Sequence, residues 1–210
     1  MNRKSKALTL VLLAALALAA VLASPAAAAN YTASGYPETM RSSSPGWNVT
    51  WITEGGTVEC AEELEGTLSA ASNSLTVKPT YWGCSAFGFL EAKAATNGCD
   101  YLFREPTGSI DFYSAKLDIT CPSGKVIEFT TSTCKVTIGA QTGLSKISIT
   151  NNTGFSDVSL DAEVQGVAYT VVTDGFLCPF NGTGAKTGAK YLHDAPVSFA
   201  PIFGKKFDVG

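Results

Sequence analysis

Apolar and polar side chains alternate with a period of two along most of the chain, the pattern of strands with one buried face. The clearest run is 157–164: Val158, Leu160, Ala162 and Val164 share one face, and Asp157, Ser159, Asp161 and Glu163 share the other. Strands of the same kind are expected over 47–53, with Trp47, Val49 and Trp51 together, and over 74–80, with Leu75 and Val77 together. Further strands are expected over 100–104, 109–121, 125–130, 134–138, 147–149, 167–173 and 196–203. Asn97-Gly98, Pro122-Ser123-Gly124 and Asp174-Gly175 mark turns, and Gln165-Gly166 marks a bulge. Pro79 is expected to end its strand at a sheet edge. Residues 57–61 and 66–70 read as two short strands, with a helical turn possible at Glu62, Glu63 and Glu65. Residues 87–95 fit helix or strand, and the glycine-rich 181–190 segment reads as a flexible loop.

Short strands at even spacing, with no strongly helical segment after the first thirty residues, indicate an all-β antiparallel sandwich or barrel. No internal repeat or linker divides residues 30–210, which read as a single β-rich extracellular domain.

Residues 1–29 form a different unit. Arg3, Lys4 and Lys6 precede an apolar run from Ala7 to Ala23, and Ser24-Pro25 and Ala26–Ala29 follow. This is the three-part pattern of a secretory signal peptide, with cleavage expected after Ala29 or within a few residues of it. No second apolar run of spanning length follows, so no membrane span is expected in the mature chain. Removing the leader leaves 12 Lys+Arg against 18 Asp+Glu, a net charge of −6. A mildly acidic domain is a poor match for nucleic acid.

Export gives the cysteines their meaning. Cys60, Cys84, Cys99, Cys121, Cys134 and Cys178 are even in number and dispersed, as a disulfide framework requires. Fifteen pairings are possible. Strand positions favour Cys60–Cys84, Cys99–Cys121 and Cys134–Cys178, and the alternative exchanges partners among the last four. No C-x-x-C occurs and the chain has one histidine, so no clustered metal set and no cofactor are expected.

Candidate chemistry is sparse. His193 precedes Asp194, but no G-x-S-x-G supplies a nucleophile, and the histidine is expected at the surface. Asp157, Asp161 and Glu163 share a strand face. They are candidates for a weak calcium site, or for the acids of a glycoside hydrolase, but fit a solvated outer face better. Glu62, Glu63 and Glu65 are read the same way. Trp47 and Trp51, with Tyr81 and Trp82, are candidates for a flat ligand platform. Val49 between the two tryptophans argues instead for a core face.

The segments Val58-Glu59-Cys60-Ala61, Leu75–Tyr81 with Gly83-Cys84, Asn97-Gly98-Cys99-Asp100-Tyr101 and Ile119–Lys125 resemble a group of exported, uncharacterised six-cysteine proteins of soil actinobacteria. The resemblance implies a secreted, bacterial, disulfide-bonded β protein and carries no activity. The expected function is a secreted or cell-surface, non-catalytic binding module for a glycan, peptide or protein partner. The alternatives are a secreted carboxylate-dependent hydrolase and a structural envelope protein.

Overall fold

A computed structural model describes residues 28–42, 48–109, 111–152, 154, 156–202 and 206–210. The strands are β1 (Tyr31–Ala33), β2 (Glu38–Ser42), β3 (Asn48–Thr53), β4 (Gly56–Leu68), β5 (Ser74–Ala86), β6 (Leu90–Glu91), β7 (Lys93–Ala95) and β8 (Asp100–Ser109). They continue with β9 (Phe112–Thr120), β10 (Ile127–Thr130), β11 (Cys134–Ile138), β12 (Gln141–Asn151), β13 (Val158–Asp174), β14 (Gly184–His193), β15 (Val197–Pro201) and β16 (Phe207–Val209). No helix occurs among the described residues.

The pairings close on themselves. Around the lower half the order is β2, β4, β5, β8, β9, β12, β13, β15 and back to β2. Around the upper half it is β3, β4, β5 and β6, then β7, β10, β11, β13, β14 and back to β3. The join between β6 and β7 is Ala92, whose N–H donates to the Cys84 carbonyl at 3.0 Å. β4, β5 and β13 run through both halves. The chain therefore passes eight times up and down one tall barrel, each pass antiparallel to the next and the last beside the first. Closure resolves the choice between sandwich and barrel, and it removes the sheet edges that invite aggregation.

The barrel is filled with side chains, as eight strands allow. Val58, Cys60, Leu64 and Leu68 of β4, Leu75 and Val77 of β5, and Val158, Leu160, Ala162 and Val164 of β13 point inward. Thr76, Lys78, Asp161 and Glu163 stand on the outer face. β1 and β16 pair across the lower end, and Tyr31 stacks on Phe207 beneath the barrel. Asn151 ties this plug to the wall, donating from its amide to the Val209 carbonyl at 2.7 Å and accepting from the Val209 N–H at 3.0 Å.

The three disulfides are Cys60–Cys84, Cys99–Cys121 and Cys134–Cys178, with Cα separations of 4.1, 4.1 and 5.3 Å. The first two join neighbouring passes of the wall. The third fastens the β13–β14 loop to the start of β11.

Three sequence expectations change. Residues 56–68 form one strand and not two, because alternation continues through Glu62, which points inward. Pro79 sits within β5 and not at its end. Its position pairs with Leu64 on one side, and no ladder joins Lys78–Gly83 to another strand on the other. The 181–190 segment is mostly strand: β14 is held between β13 and β3, and those two ladders outweigh its poor intrinsic preference. Bulges at Gly83 (φ 60°) and Gly166 (φ 76°) bend the long strands where glycine accepts the left-handed backbone.

Candidate functional site

The sequence candidates do not assemble into one site. Trp47 lies outside the described residues. Trp51 and Tyr81 are buried in the barrel, so they form no exposed platform. Trp82 alone faces outward, 39% exposed. The bulge at Gly83 is the cause: it lets Tyr81 and Cys84 both point inward while Trp82 and Gly83 stay outside. Asp161 and Glu163 are exposed on the outer face of β13, and Asp157 accepts a hydrogen bond from the Ser198 hydroxyl. Among the described residues no group of three His, Cys, Asp or Glu side chains is placed to hold a metal. Asp161 and Glu163 keep the solvated outer face that the alternation favours for them.

Two residues read as surface groups are inside instead. The side chains of Glu62 and His193 are 4% and 3% exposed and meet inside the barrel. Tyr191 Oη lies 2.9 Å from each Glu62 carboxylate oxygen and 3.1 Å from His193 Nε2. His193 Nε2 lies 3.2 Å from Glu62 Oε2, and Nδ1 lies 3.4 Å from the Leu160 carbonyl. A carbonyl only accepts, so Nδ1 carries a proton. The single Tyr191 hydroxyl proton is directed at the carboxylate. The Nε2–Oε2 contact then needs one more proton, as imidazolium against carboxylate or imidazole against carboxylic acid. Either arrangement is neutral overall, which is how a glutamate and a histidine can share an apolar interior.

Aromatic rings surround this pair. Trp51 lies 4.7 Å from Tyr191 and 5.8 Å from Phe129, and Tyr101 lies 5.6 Å from Tyr191. The Tyr81 and Tyr101 hydroxyls bond to each other. Burial first, and the nearby Glu62 charge as a further cause, push the Tyr81, Tyr101 and Tyr191 hydroxyls well above the ordinary phenol value. All three stay protonated donors. The cluster is buried inside the barrel and organises its core.

The upper end is different. Phe180 folds back over the barrel mouth and meets Phe87 edge-on at 6.0 Å and Tyr169 at 6.0 Å. The β5–β6 turn and the β13–β14 loop are thereby brought into contact. Outside this lid Phe89 is 68%, Phe176 88% and Leu177 55% exposed. Phe87 and Leu177 hold positive φ of 57° and 74°, unusual for bulky side chains and a common mark of functional loops.

A trough runs round the outer wall below this lid. It begins as a depression of about 380 Å³ beside Trp82, bounded by Gly83 and by Glu91 and Lys93 across the unladdered seam. Glu91 and Lys93 also bound the next depression, about 420 Å³, which reaches Thr130, Thr131 and Ser132. Those three line a third, about 600 Å³, which ends at Val172, Thr173 and Gly175. The sequence signal for it was the Tyr81-Trp82-Gly83-Cys84 run. The rest is contributed by short turn segments that have no chemical signature of their own. No family model, no curated protein and no solved structure matches this chain.

Proposed function

We propose that the chain is an exported, non-catalytic binding module that meets its partner with the upper end of the barrel. The observation that carries this reading is the trio Phe89, Phe176 and Leu177, bulky apolar side chains left in water on two loops in mutual contact. Exposed apolar surface costs solubility and marks interaction sites. These loops are held in place by the Phe87–Phe180 contact and by Cys134–Cys178, so little ordering is needed on binding. Three disulfides suit an oxidising compartment, and the leader pattern in 1–29 supplies the route there. Ala28 bridges to Thr107 and Ala29 is buried. Cleavage on the near side of these alanines, slightly earlier than the A-x-A pattern alone suggests, keeps both contacts.

The test uses the mature, disulfide-bonded protein. Co-sedimentation with bacterial envelope preparations and binding to a glycan array are measured for the native chain and for F89S/F176S. The native chain is expected to be retained, and the variant to be retained at least tenfold less with an unchanged circular dichroism spectrum. Equal retention of both proteins, retention of neither, or release of cleaved product from the bound material would overturn the reading.

A further inference from the structure

We propose that the trough from Trp82 to Thr173 holds an extended, neutral polysaccharide chain, with one sugar ring stacked on the Trp82 indole. The proposal rests on the binding-module reading and names a ligand class for a second surface of the same end.

Length comes first. The trough crosses β5, β7, β10, β11 and β13; β7, β10, β11 and β13 are successive paired strands, and β7 lies across the unladdered seam from β5. Four strand spacings span on the order of 20 Å, the reach of a short oligosaccharide. Its three parts share lining residues, Glu91 and Lys93 between the first and second and Thr130–Ser132 between the second and third. Depressions that follow one another with shared rims are what an extended ligand can occupy in succession.

Chemistry comes second. One end offers an exposed indole held on a glycine bulge, two residues before Cys84 of the Cys60–Cys84 bridge. The middle offers hydroxyl and charged groups: Thr130, Thr131, Ser132, Glu91 and Lys93. A flat aromatic face for the apolar face of a sugar, followed by a row of hydroxyls and one group of each charge, suits a neutral, hydroxyl-rich chain. A polyanion would meet Glu91 and the net negative charge of the chain. An extended peptide gains affinity by adding a strand along a sheet edge. This trough runs across the strands, so an extended peptide lying along it would meet the free side of β5 over Lys78–Gly83 only at its start.

The seam explains why the site lies here. Between Lys78 and Gly83, β5 has ladder partners only on the β4 side. Backbone polar groups on the other side therefore face the start of the trough. They are of the kind that water or sugar hydroxyls satisfy.

The test is titration of the mature protein with soluble β-glucan, xylan and chitin oligosaccharides of two to six sugars. Tryptophan fluorescence and calorimetry are the readouts. Trp47 and Trp51 also emit, so a ligand-dependent change is assigned to Trp82 where W82F binds by calorimetry without showing it. At least one series is expected to bind, with affinity rising up to about four sugars and then levelling. W82A is expected to lose at least tenfold and W82F to recover most of it. Trp82 faces outward, so both variants should fold, and unchanged thermal unfolding checks this. No binding by any series, equal binding by W82A, or displacement of the sugar by unstructured peptides at similar concentration would overturn the proposal. If F89S/F176S abolishes envelope retention while W82A leaves it intact and no oligosaccharide binds, the saccharide proposal falls and the upper-end reading stands.

Discussion

Glu62 shows how far one side chain can depart from what its neighbours in sequence suggest. Glu63 and Glu65 are outer-face residues and pair with Arg41, whereas Glu62 is buried against Tyr191 and His193. The alternation Val58, Cys60, Glu62, Leu64 placed it inside, and only the habit of reading three glutamates as a solvated cluster concealed this. His193 was legible in the same way, two residues beyond Tyr191 and four beyond Ala189, both buried. What the sequence did not contain was the meeting of the two, which lie on opposite sides of β3 and 131 residues apart. The consequence is measurable. Glu62→Leu removes the acceptor shared by the Tyr191 hydroxyl and His193 Nε2, leaving these two only each other at 3.1 Å, and should cost about 1–3 kcal/mol of unfolding free energy. Tyr191→Phe removes only the donor and should cost about 1–2 kcal/mol. Urea unfolding of both, and of Glu62→Leu with His193→Leu, checks the assignment. The double variant should cost clearly less than the sum of its singles, because both changes remove the same Glu62–His193 contact.

At the level of the element, the bulges decide what faces where. In β12 a bulge around Gly143 (φ 72°) turns its N–H towards the buried Asp118 of β9, at 2.7 Å from Oδ1. Arg104 of β8 donates to the same oxygen at 3.0 Å. Burial alone pushes the Asp118 carboxyl up, but the Arg104 and Gly143 hydrogen bonds outweigh it and hold the carboxyl below the ordinary aspartate value. A carboxyl depressed in the folded state stabilises above its unfolded value, and that contribution disappears as pH falls through the folded value. Asp118→Asn should therefore be destabilising at pH 7 and nearly neutral in strong acid, with the two unfolding curves converging only below the ordinary aspartate value. A constant difference across pH would show that the site is held by shape and not by charge. At the upper end, a Cβ on Gly55 would lie 2.7 Å from the Phe180 ring. Gly55→Ala should displace Phe180 from the barrel mouth and lower the melting temperature by several degrees. β14 shows the limit of local reading. Its run of glycine, threonine and lysine looks like a loop, and only ladders on both sides make it a strand.

At the scale of the whole molecule, the strands, most turns and the favoured disulfide pairing were legible, because alternation, Asn-Gly and Pro-Ser-Gly turns, and cysteine position are local signals. Closure was not. Whether eight passes fold into two sheets or one ring depends on β15 finding β2 and β14 finding β3 across about 150 residues of sequence, and no local pattern records that. The trough was illegible for the same reason, since it crosses five strands that only the ring makes neighbours. The disulfides allow the barrel and its proposed binding end to be separated by experiment. Cys60–Cys84 and Cys99–Cys121 each close a short loop between adjacent wall passes, whereas Cys134–Cys178 spans 44 residues and anchors the loop that carries Phe176 and Leu177. Replacing Cys134 and Cys178 by serine removes a cross-link on the order of 4 kcal/mol in the chain-entropy account. The wall ladders of β11 and β13 remain, so the barrel should still form and unfold in one step at lower urea. The β13–β14 loop should lose its anchor, and with it the fixed placement of Phe176 and Leu177. Amide exchange is then expected to accelerate over 175–183 and to stay slow in β4, β5 and β13 at low urea, with envelope retention falling as far as in F89S/F176S. Retention that survives loss of this bridge would move the contact surface away from the loop and back to the wall of the barrel.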